Sequence, residues 1–542
     1  VNDRNGTASL PERTLDIVVI GAGFAGMHAL HRFRDGGFDT LSIEAGPDVG
    51  GVWFWNRYPG ARCDIPSLDY SFAFSDELYD EWNWSERYAT QPEILTYARF
   101  VADRLDLRRD IRFETRVNSA RFDEAAGLWR LDTTRGAVST QNLVLATGQV
   151  SVPNMPHIPN IETFEGDVYR TWEWPEQPVD FTGKRVGMIG TGSTGIQVLP
   201  QVAAQAAHVT VFQRTPTFAV PMVNYPYSAD GEDIVVHKQE ARAARKLAVK
   251  SRFGNTATVA SGSVLTADVE ERLARFEEAW NSGRTAGILL AYDDILRDLE
   301  ANEVAKGYLH SKIREIVKDP VTAEMLCPTG YPVGAKRPSL EQGFYDAFNL
   351  DHVTLVDVRD EPIRDAGPLG LRTDRAQYDI DALIFATGFD TLTGAILRID
   401  IEGRDGVTMK EKWAHGPQTY LGIGISGFPN LFLVAGPGSP SLLSNVIISI
   451  EHHVEWIADL LTRARAEGSR IVEATPEAET QWQEHAAAVA EETLYPHSDS
   501  AYTGANIPGK PRALLPYVGG VGLYQEMCRE VAEDDFRGFR RV

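Results

Sequence analysis

The chain has 542 residues, too many for one compact core, so two or three domains are expected. It is 43% hydrophobic and 24% charged, near globular averages, which excludes extended disorder. A net charge of −23 argues against nucleic acid as the main partner, which needs a basic footprint, but leaves room for a local basic pocket. No run of about 18 apolar residues predicts a membrane span. The polar start VNDRNGTASLPERTLD lacks the apolar core of a signal peptide. Cys63, Cys327 and Cys528 are scattered, with no CxxC pair. That fits a reducing cytoplasm, gives no metal site or dithiol centre, and makes the sequons at Asn5 and Asn83 chance matches.

In chain order, the apolar run Asp16–Ile20 enters Gly21-Ala22-Gly23-Phe24-Ala25-Gly26, followed by a predicted helix to about Asp35 and a second strand, TLSIEA. Strand, GxGxxG, helix and strand together form a dinucleotide-binding fingerprint. Gly21 permits the tight turn, Gly23 lets backbone amides approach a pyrophosphate, and Gly26 lets helix and strand pack closely. Glu44 follows Gly26 by 18 residues, where a carboxylate can accept from ribose hydroxyls. Gly50–Asp64 (GGVWFWNRYPGARCD) reads either as an aromatic wall against a flat ring system or as a packed aromatic loop. Trp82 and Trp84 precede a helical stretch. The segments IRFETRV, ARFDE and LWRLDTT then predict an antiparallel sheet that closes on Ala146-Thr147-Gly148.

A proline-rich linker, 151–159, leads into Phe164, Gly166, Trp174 and Pro175 at fixed offsets. A second glycine turn follows the strand RVGMI, with Thr191, Gly192, Ser193, Thr194 and Gly195 opening the next helix. Here the place of the acid is taken by Arg214, 19 residues after Gly195. A cation there suits a 2′-phosphate, so the second nucleotide reads as NADP(H) and the first as FAD, although Arg214 also fits a surface cation. Charged, Ala/Leu-rich periodicity from 227 to 330 predicts amphipathic helices with solvated faces. The loop GYPVGAKR brings Lys336 and Arg337, taken alone an ordinary surface pair. A second closing motif, Ala386-Thr387-Gly388, and the loop GPGSPSLLSN follow.

The expected fold is α/β, with two Rossmann-like dinucleotide-binding domains, for FAD and NADP, and a helical insertion in the second. Residues 1–150 and 386–542 are expected to form the FAD domain, the latter carrying substrate-pocket loops. Residues 151–226 and 331–385 are expected to form the NADPH domain, and 227–330 the insertion.

Across nearly its whole length the chain resembles the FAD- and NADPH-dependent Baeyer–Villiger monooxygenases, most of all their phenylacetone- and steroid-oxidising branch. The carriers are GAGFAG, GGVWFWNRYPGARCD, the Phe164…Trp174-Pro175 fingerprint, GTGSTGIQ, FQRT, GAKR, ATGFD and GPGSPS. The resemblance implies that Glu44 holds the FAD ribose and that Trp53, Trp55, Asp64 and Tyr70 lie near the flavin, with Val52, Val117 and Val446 as further contacts. It gives Thr191–Gln197 to NADPH, with Arg214, Thr215 and Lys336 around its 2′-phosphate. Arg337 becomes the catalytic arginine and Asp64 its partner, while Gln149, Leu442 and Leu443 face the substrate.

The implied chemistry is hydride transfer from NADPH to FAD, addition of O2 to the reduced flavin as a C4a-peroxide, and attack on a ketone to give an ester or lactone. The GPGSPSLL loop points to aromatic, long-chain or polycyclic ketones. Two departures stand out: Arg170 where the family fingerprint has histidine, and Ala501 where the family usually has tryptophan. They leave two alternatives to ketone oxygenation: an N- or S-oxygenating flavin enzyme, or an NADPH-oxidising flavoprotein with impaired oxygenation.

Overall fold

The computed structural model describes Leu10 and residues 13–228, 232–254 and 259–542. Residues 1–9, with the Asn5 sequon, lie outside them. Among the described residues no helix is long and apolar enough to cross a membrane.

Two sheets organise the chain. In the first, Leu15–Ile20 runs parallel between Thr40–Ile43 and Gly136–Leu145, with Ile111–Arg112 beyond Thr40–Ile43 and Leu431–Leu433 parallel to Gly136–Leu145. The inner strand is apolar and buried from Ile17 to Ile20 because layers cover both of its faces. Val117–Asp123 and Leu128–Thr133 extend this sheet antiparallel, with the alternating burial of a surface with one wet side. The second sheet is wholly parallel. Its order places Val353–Asp357 beside His208–Gln213, then Arg185–Ile189, Ala382–Phe385 and Asp167–Arg170. The chain therefore enters the second sheet, leaves it for the helices Glu232–Ala248, Val269–Asn281, Leu299–Ile316 and Pro320–Leu326, and returns to complete it. The helices bury Phe276, Trp280, Ala301, Ala305 and Leu309 in one core while their charged faces stay outside.

The two glycine turns are geometric copies. Gly21 has φ 112° and Gly190 φ 109°. A Cβ on Gly21 would lie 2.4 Å from the Ala146 carbonyl oxygen, and one on Gly190 2.3 Å from that of Ala386. The Ala-Thr-Gly closing motifs thus seat against the turns, which is why both recur together. IRFETRV, read as one strand, is broken: Glu114 adopts φ 50° and gives its amide to the Gly46 carbonyl, so Ile111–Arg112 and Val117–Asp123 separate.

The aromatic loop of the first domain packs on the first helix of the second. The Tyr58 hydroxyl donates to Gln197 Oε1 at 3.0 Å, and Gln197 Nε2 donates to the Arg62 carbonyl at 3.0 Å. Gly60 has φ 80°, and a Cβ there would sit 2.5 Å from the Gln197 carbonyl oxygen. Gly37, with φ 73° and open space around it, isolates the backbone cost, about 1–2 kcal/mol. Thermal melts should place Gly60→Ala well below Gly37→Ala. Equal midpoints would mean that the loop moves freely away from the second helix.

Candidate active site

Each turn ends at a helix whose first amides are unspent. Gly23 caps Phe24–Asp35 and Gly192 caps Ser193–Ala203, with no side-chain cap and no acid in either first turn. Such ends attract phosphate through free N–H groups and the helix dipole. A Cβ on Gly192 would meet nothing within 4 Å, so this edge is open to a ligand. Gly21, Gly26 and Gly195 lie behind the turns and serve the close packing. Glu44 is buried, its Oε2 accepting from the Ala22 amide and its Oε1 from the Gly46 amide, both at 2.7 Å. Burial raises its pKa against those bonds. Each carboxylate oxygen keeps a lone pair for a further donor.

At the second turn Thr191 Oγ1 donates to the Thr215 carbonyl at 3.2 Å, fixing the turn to the end of His208–Gln213. Arg214 is exposed there. Lys336 sits half-buried with Nζ 4.4 Å from the centre of the Tyr331 ring. Burial and the neighbouring Arg214 charge pull its ammonium down to about 8, with Asp499 opposing them. An ammonium pulled down by a neighbouring cation marks a place where an anion is wanted.

A cleft of about 1010 Å³ opens on the second turn and reaches the aromatic loop that follows the first. Thr191, Gly192, Ser193, Thr194, Gln197, Arg214, Thr215 and Lys336 line one end; Val52, Trp53, Asp64, Tyr70 and Val446 line the other. Arg337 stands between them, with Gln149 and Leu442 on the wall. Arg337 Nη2 donates to Asp64 Oδ1 at 3.0 Å, and Nε lies 2.9 Å from Oδ2 but off the line of donation, leaving that donor unspent. Burial works against the Arg337 charge and Asp64 more than offsets it, so the pKa is raised. Trp53 Nε1 donates to the Tyr70 hydroxyl at 3.0 Å with the rings edge-on, which fixes this aromatic corner.

Gly21, Gly23, Gly26, Glu44 and Gly195 of the nucleotide folds lie off the cleft lining, as do Val117, Trp55 and Leu443. Val117 is buried in the core of the first sheet. Trp55 is 39% exposed and packs edge-on to Phe54, near Gly46 and the Glu44 carboxylate. Leu443 packs against the cluster of Tyr495, Tyr502 and Val518. Conversely, the segment after Tyr495 contributes more than the sequence suggested. Asp499, Tyr502 and Asn506 line the cleft, and Tyr502 sits against Arg337, whose charge opposes the burial that pushes its hydroxyl pKa up. Asn506 Nδ2 donates to the Phe389 carbonyl at 2.8 Å and Asn154 Nδ2 to the Asn506 carbonyl at 3.2 Å, tying this loop to the proline-rich linker and to the residue after the second Ala-Thr-Gly motif. The only sequence cue for it was the Gly- and Pro-rich YTGANIPGKP.

The departures are placed differently. Ala501 lines the cleft itself. Arg170 ends the edge strand of the second sheet, exposed and without an ion pair among the described residues.

Two nucleotide folds facing one cleft define a two-nucleotide oxidoreductase, and the family model for pyridine nucleotide-disulphide oxidoreductases matches residues 18–244. Cys63, Cys327 and Cys528 are each buried and free, so the dithiol part of that description has no counterpart here. A Baeyer-Villiger monooxygenase of Pseudooceanicola batsensis is 40% identical over 536 residues, covering 97% of this chain and 96% of that protein. Among solved structures, oxidised steroid monooxygenase bound to NADP matches with a TM-score of 0.93 at 46% identity, covering 98% of this chain and 100% of that one. OTEMO in complex with FAD and NADP matches with a TM-score of 0.94 at 37% identity, over 98% and 100% of the two chains. The chain belongs to the Baeyer–Villiger monooxygenase family.

The exposure of Arg170 makes its exchange a solvated one. Arg170→His should therefore change the unfolding free energy from denaturant titration by no more than about 0.5 kcal/mol. A larger loss would reveal a structural contact for the guanidinium.

Proposed function

We propose that the protein inserts one oxygen atom of O2 beside the carbonyl of a bulky ketone, using FAD at the first turn and NADPH at the second. The observation that carries this is the Arg337–Asp64 pair, set in a cleft lined by the second turn and by the aromatic loop that follows the first. The residues fit both cofactors: two uncapped helix ends for pyrophosphates, a buried carboxylate for a ribose, and an Arg214–Lys336 pair for a 2′-phosphate. When bound, FAD and NADPH supply hydride transfer and oxygen activation; the chain supplies position, charge and exclusion of water.

In this reading Arg337 presents a permanently charged guanidinium to the reacting carbonyl and stabilises negative charge as it builds on that oxygen. Asp64 orients the guanidinium through the Nη2 bond, with Nε 2.9 Å from its other oxygen. Trp53, Tyr70 and Tyr502 wall off the site, which keeps water from the activated oxygen. Bulky substrates are favoured by Ala501, which leaves the wall open where an aromatic group would fill it, and by the likeness to a steroid monooxygenase. A reducing cytoplasmic setting is part of the same reading, supported by three free, buried cysteines.

Replacing Arg337 by alanine should lower ester formation about 10²–10³-fold. NADPH should still reduce the flavin in that variant. Ester made by Arg337→Ala at an undiminished rate, measured by mass spectrometry, would refute the assignment.

Lys336 adds a pH signature. With its pKa near 8 in the free protein, the ammonium is charged below that value and lost above it. A bound phosphate holds the proton, so the NADPH dissociation constant should be flat below about pH 7 and rise up to tenfold per pH unit above 8. NADH, which lacks the 2′-phosphate, should show no such rise. Parallel titrations of the two coenzymes decide the point, and a flat NADPH profile to pH 9.5 would remove Lys336 from the site.

A further inference from the structure

Helix Val446–Glu467 begins at the cleft wall and carries His453 two turns further on. The His453 ring is wholly buried. Its Nδ1 accepts the Ala435 amide at 2.9 Å, and its Nε2 lies 2.7 Å from the Tyr524 hydroxyl, which donates to the Leu421 carbonyl at 2.6 Å. Those partners fix the tautomer. The Tyr524 proton is spent on Leu421, so Nε2 carries the imidazole hydrogen and Nδ1 is bare. Burial, aided by neighbouring His452, holds the ring's pKa well below its ordinary value, which keeps it neutral.

Both peptides it reaches are unusual. Ala435 has φ 56° and Leu421 φ 57°, left-handed conformations that residues with a Cβ hold only when their surroundings impose them. The Ala435 carbonyl accepts Gln149 Nε2 at 3.2 Å, and Gln149 lines the cleft. The loop that continues from Ala435 supplies Ser441, Leu442 and Ser444 to the same wall. Leu421 leads into Gly422, where a Cβ would fall 2.7 Å from the Ser439 amide nitrogen of that loop. One imidazole therefore braces two strained turns behind the pocket.

We infer that His453 is a positioning residue for the substrate side of the cleft, holding the Ala435 peptide and through it the Gln149 side chain, with Tyr524 as its anchor. This rests on the ketone-oxygenating reading above. A histidine that merely filled core space would be indifferent to which ring nitrogen is replaced; the relay is not. The amide oxygen of asparagine falls near the place of Nδ1, whereas the longer glutamine reaches the place of Nε2.

The test compares His453→Asn, His453→Gln and Tyr524→Phe with wild type over a ketone panel. It measures ketone KM, hydrogen peroxide released per NADPH, and anaerobic flavin reduction by NADPH. His453→Asn should keep ketone KM within about twofold, while His453→Gln should lower kcat/KM for ketone about ten- to a hundredfold and raise the peroxide fraction. Flavin reduction should be unchanged in both. In a Gln149→Leu background, His453→Gln should add little further loss, because the two changes break one chain of bonds. Equal behaviour of the Asn and Gln variants at matched melting temperatures, or full additivity with Gln149→Leu, overturns the relay. If the Gln variant does not fold, Tyr524→Phe decides: it keeps the ring, and an unchanged ketone KM overturns the proposal. Wild-type protein that forms no ester from any ketone sinks the functional reading instead, whereas wild-type ester with a KM insensitive to these changes sinks only the role of His453.

Discussion

The structure depends on one ion pair made by parts of the chain 273 residues apart. Asp64 ends the aromatic loop that follows the first glycine turn, and Arg337 arrives from the segment that returns to the second sheet. Neither is deeply sunk, with side chains 31% and 28% exposed. Water therefore screens much of their attraction. The pair falls between a surface bridge, about 0–1 kcal/mol, and a fully buried one, whose breaking costs about 3–5 kcal/mol. Its value lies less in stability than in direction. A guanidinium held to both oxygens of one carboxylate, by one straight contact and one crooked one, has a fixed plane.

That direction holds only if the two nucleotide halves stay in register. The aromatic loop secures this by putting Tyr58 and the Arg62 carbonyl on the two ends of the Gln197 amide, with Gly60 pressed to the backbone beneath. The same side chain that the sequence offered as a coenzyme contact is here a rivet between domains. Both readings are compatible, since Gln197 also lines the cleft. A residue that touches the other domain and a ligand at once is a natural place for the two halves to report on each other.

Much of this was legible in the sequence because the constraints are local and steric. A glycine whose Cβ would strike a carbonyl at 2.4 Å cannot be anything else, and the alanine that presses on it comes in a fixed Ala-Thr-Gly triplet. The parallel strands showed as unbroken apolar runs and the antiparallel ones as alternation. What escaped notice is non-local. Glu114 breaks a well-patterned strand because its amide is claimed by Gly46, in a different part of the sheet. Val117 has the pattern of a strand residue and lies in the core, off the cleft lining. Tyr502 and Asp499 reach Arg337 and Lys336 from a loop whose composition says only that it is a loop. His453 sits in a long apolar helix, where nothing in the pattern separates a hydrogen-bonded imidazole from a space-filling one.

The two departures from the family pattern follow the same division. Arg170 puts a permanent charge where an imidazole titrates. Its strand, however, is the outermost of the second sheet and its side chain meets water, so the charge costs little to keep. Ala501 is a loss of an aromatic group, and it lines the cleft beside Tyr502 and thus near the Arg337–Asp64 pair. A deleted ring on a ligand-facing wall changes the shape of the reacting space, whereas an added charge at a solvated strand end changes almost nothing near it. Position in the fold, not the chemical distance of the exchange, decides which of the two matters, and it points to Ala501.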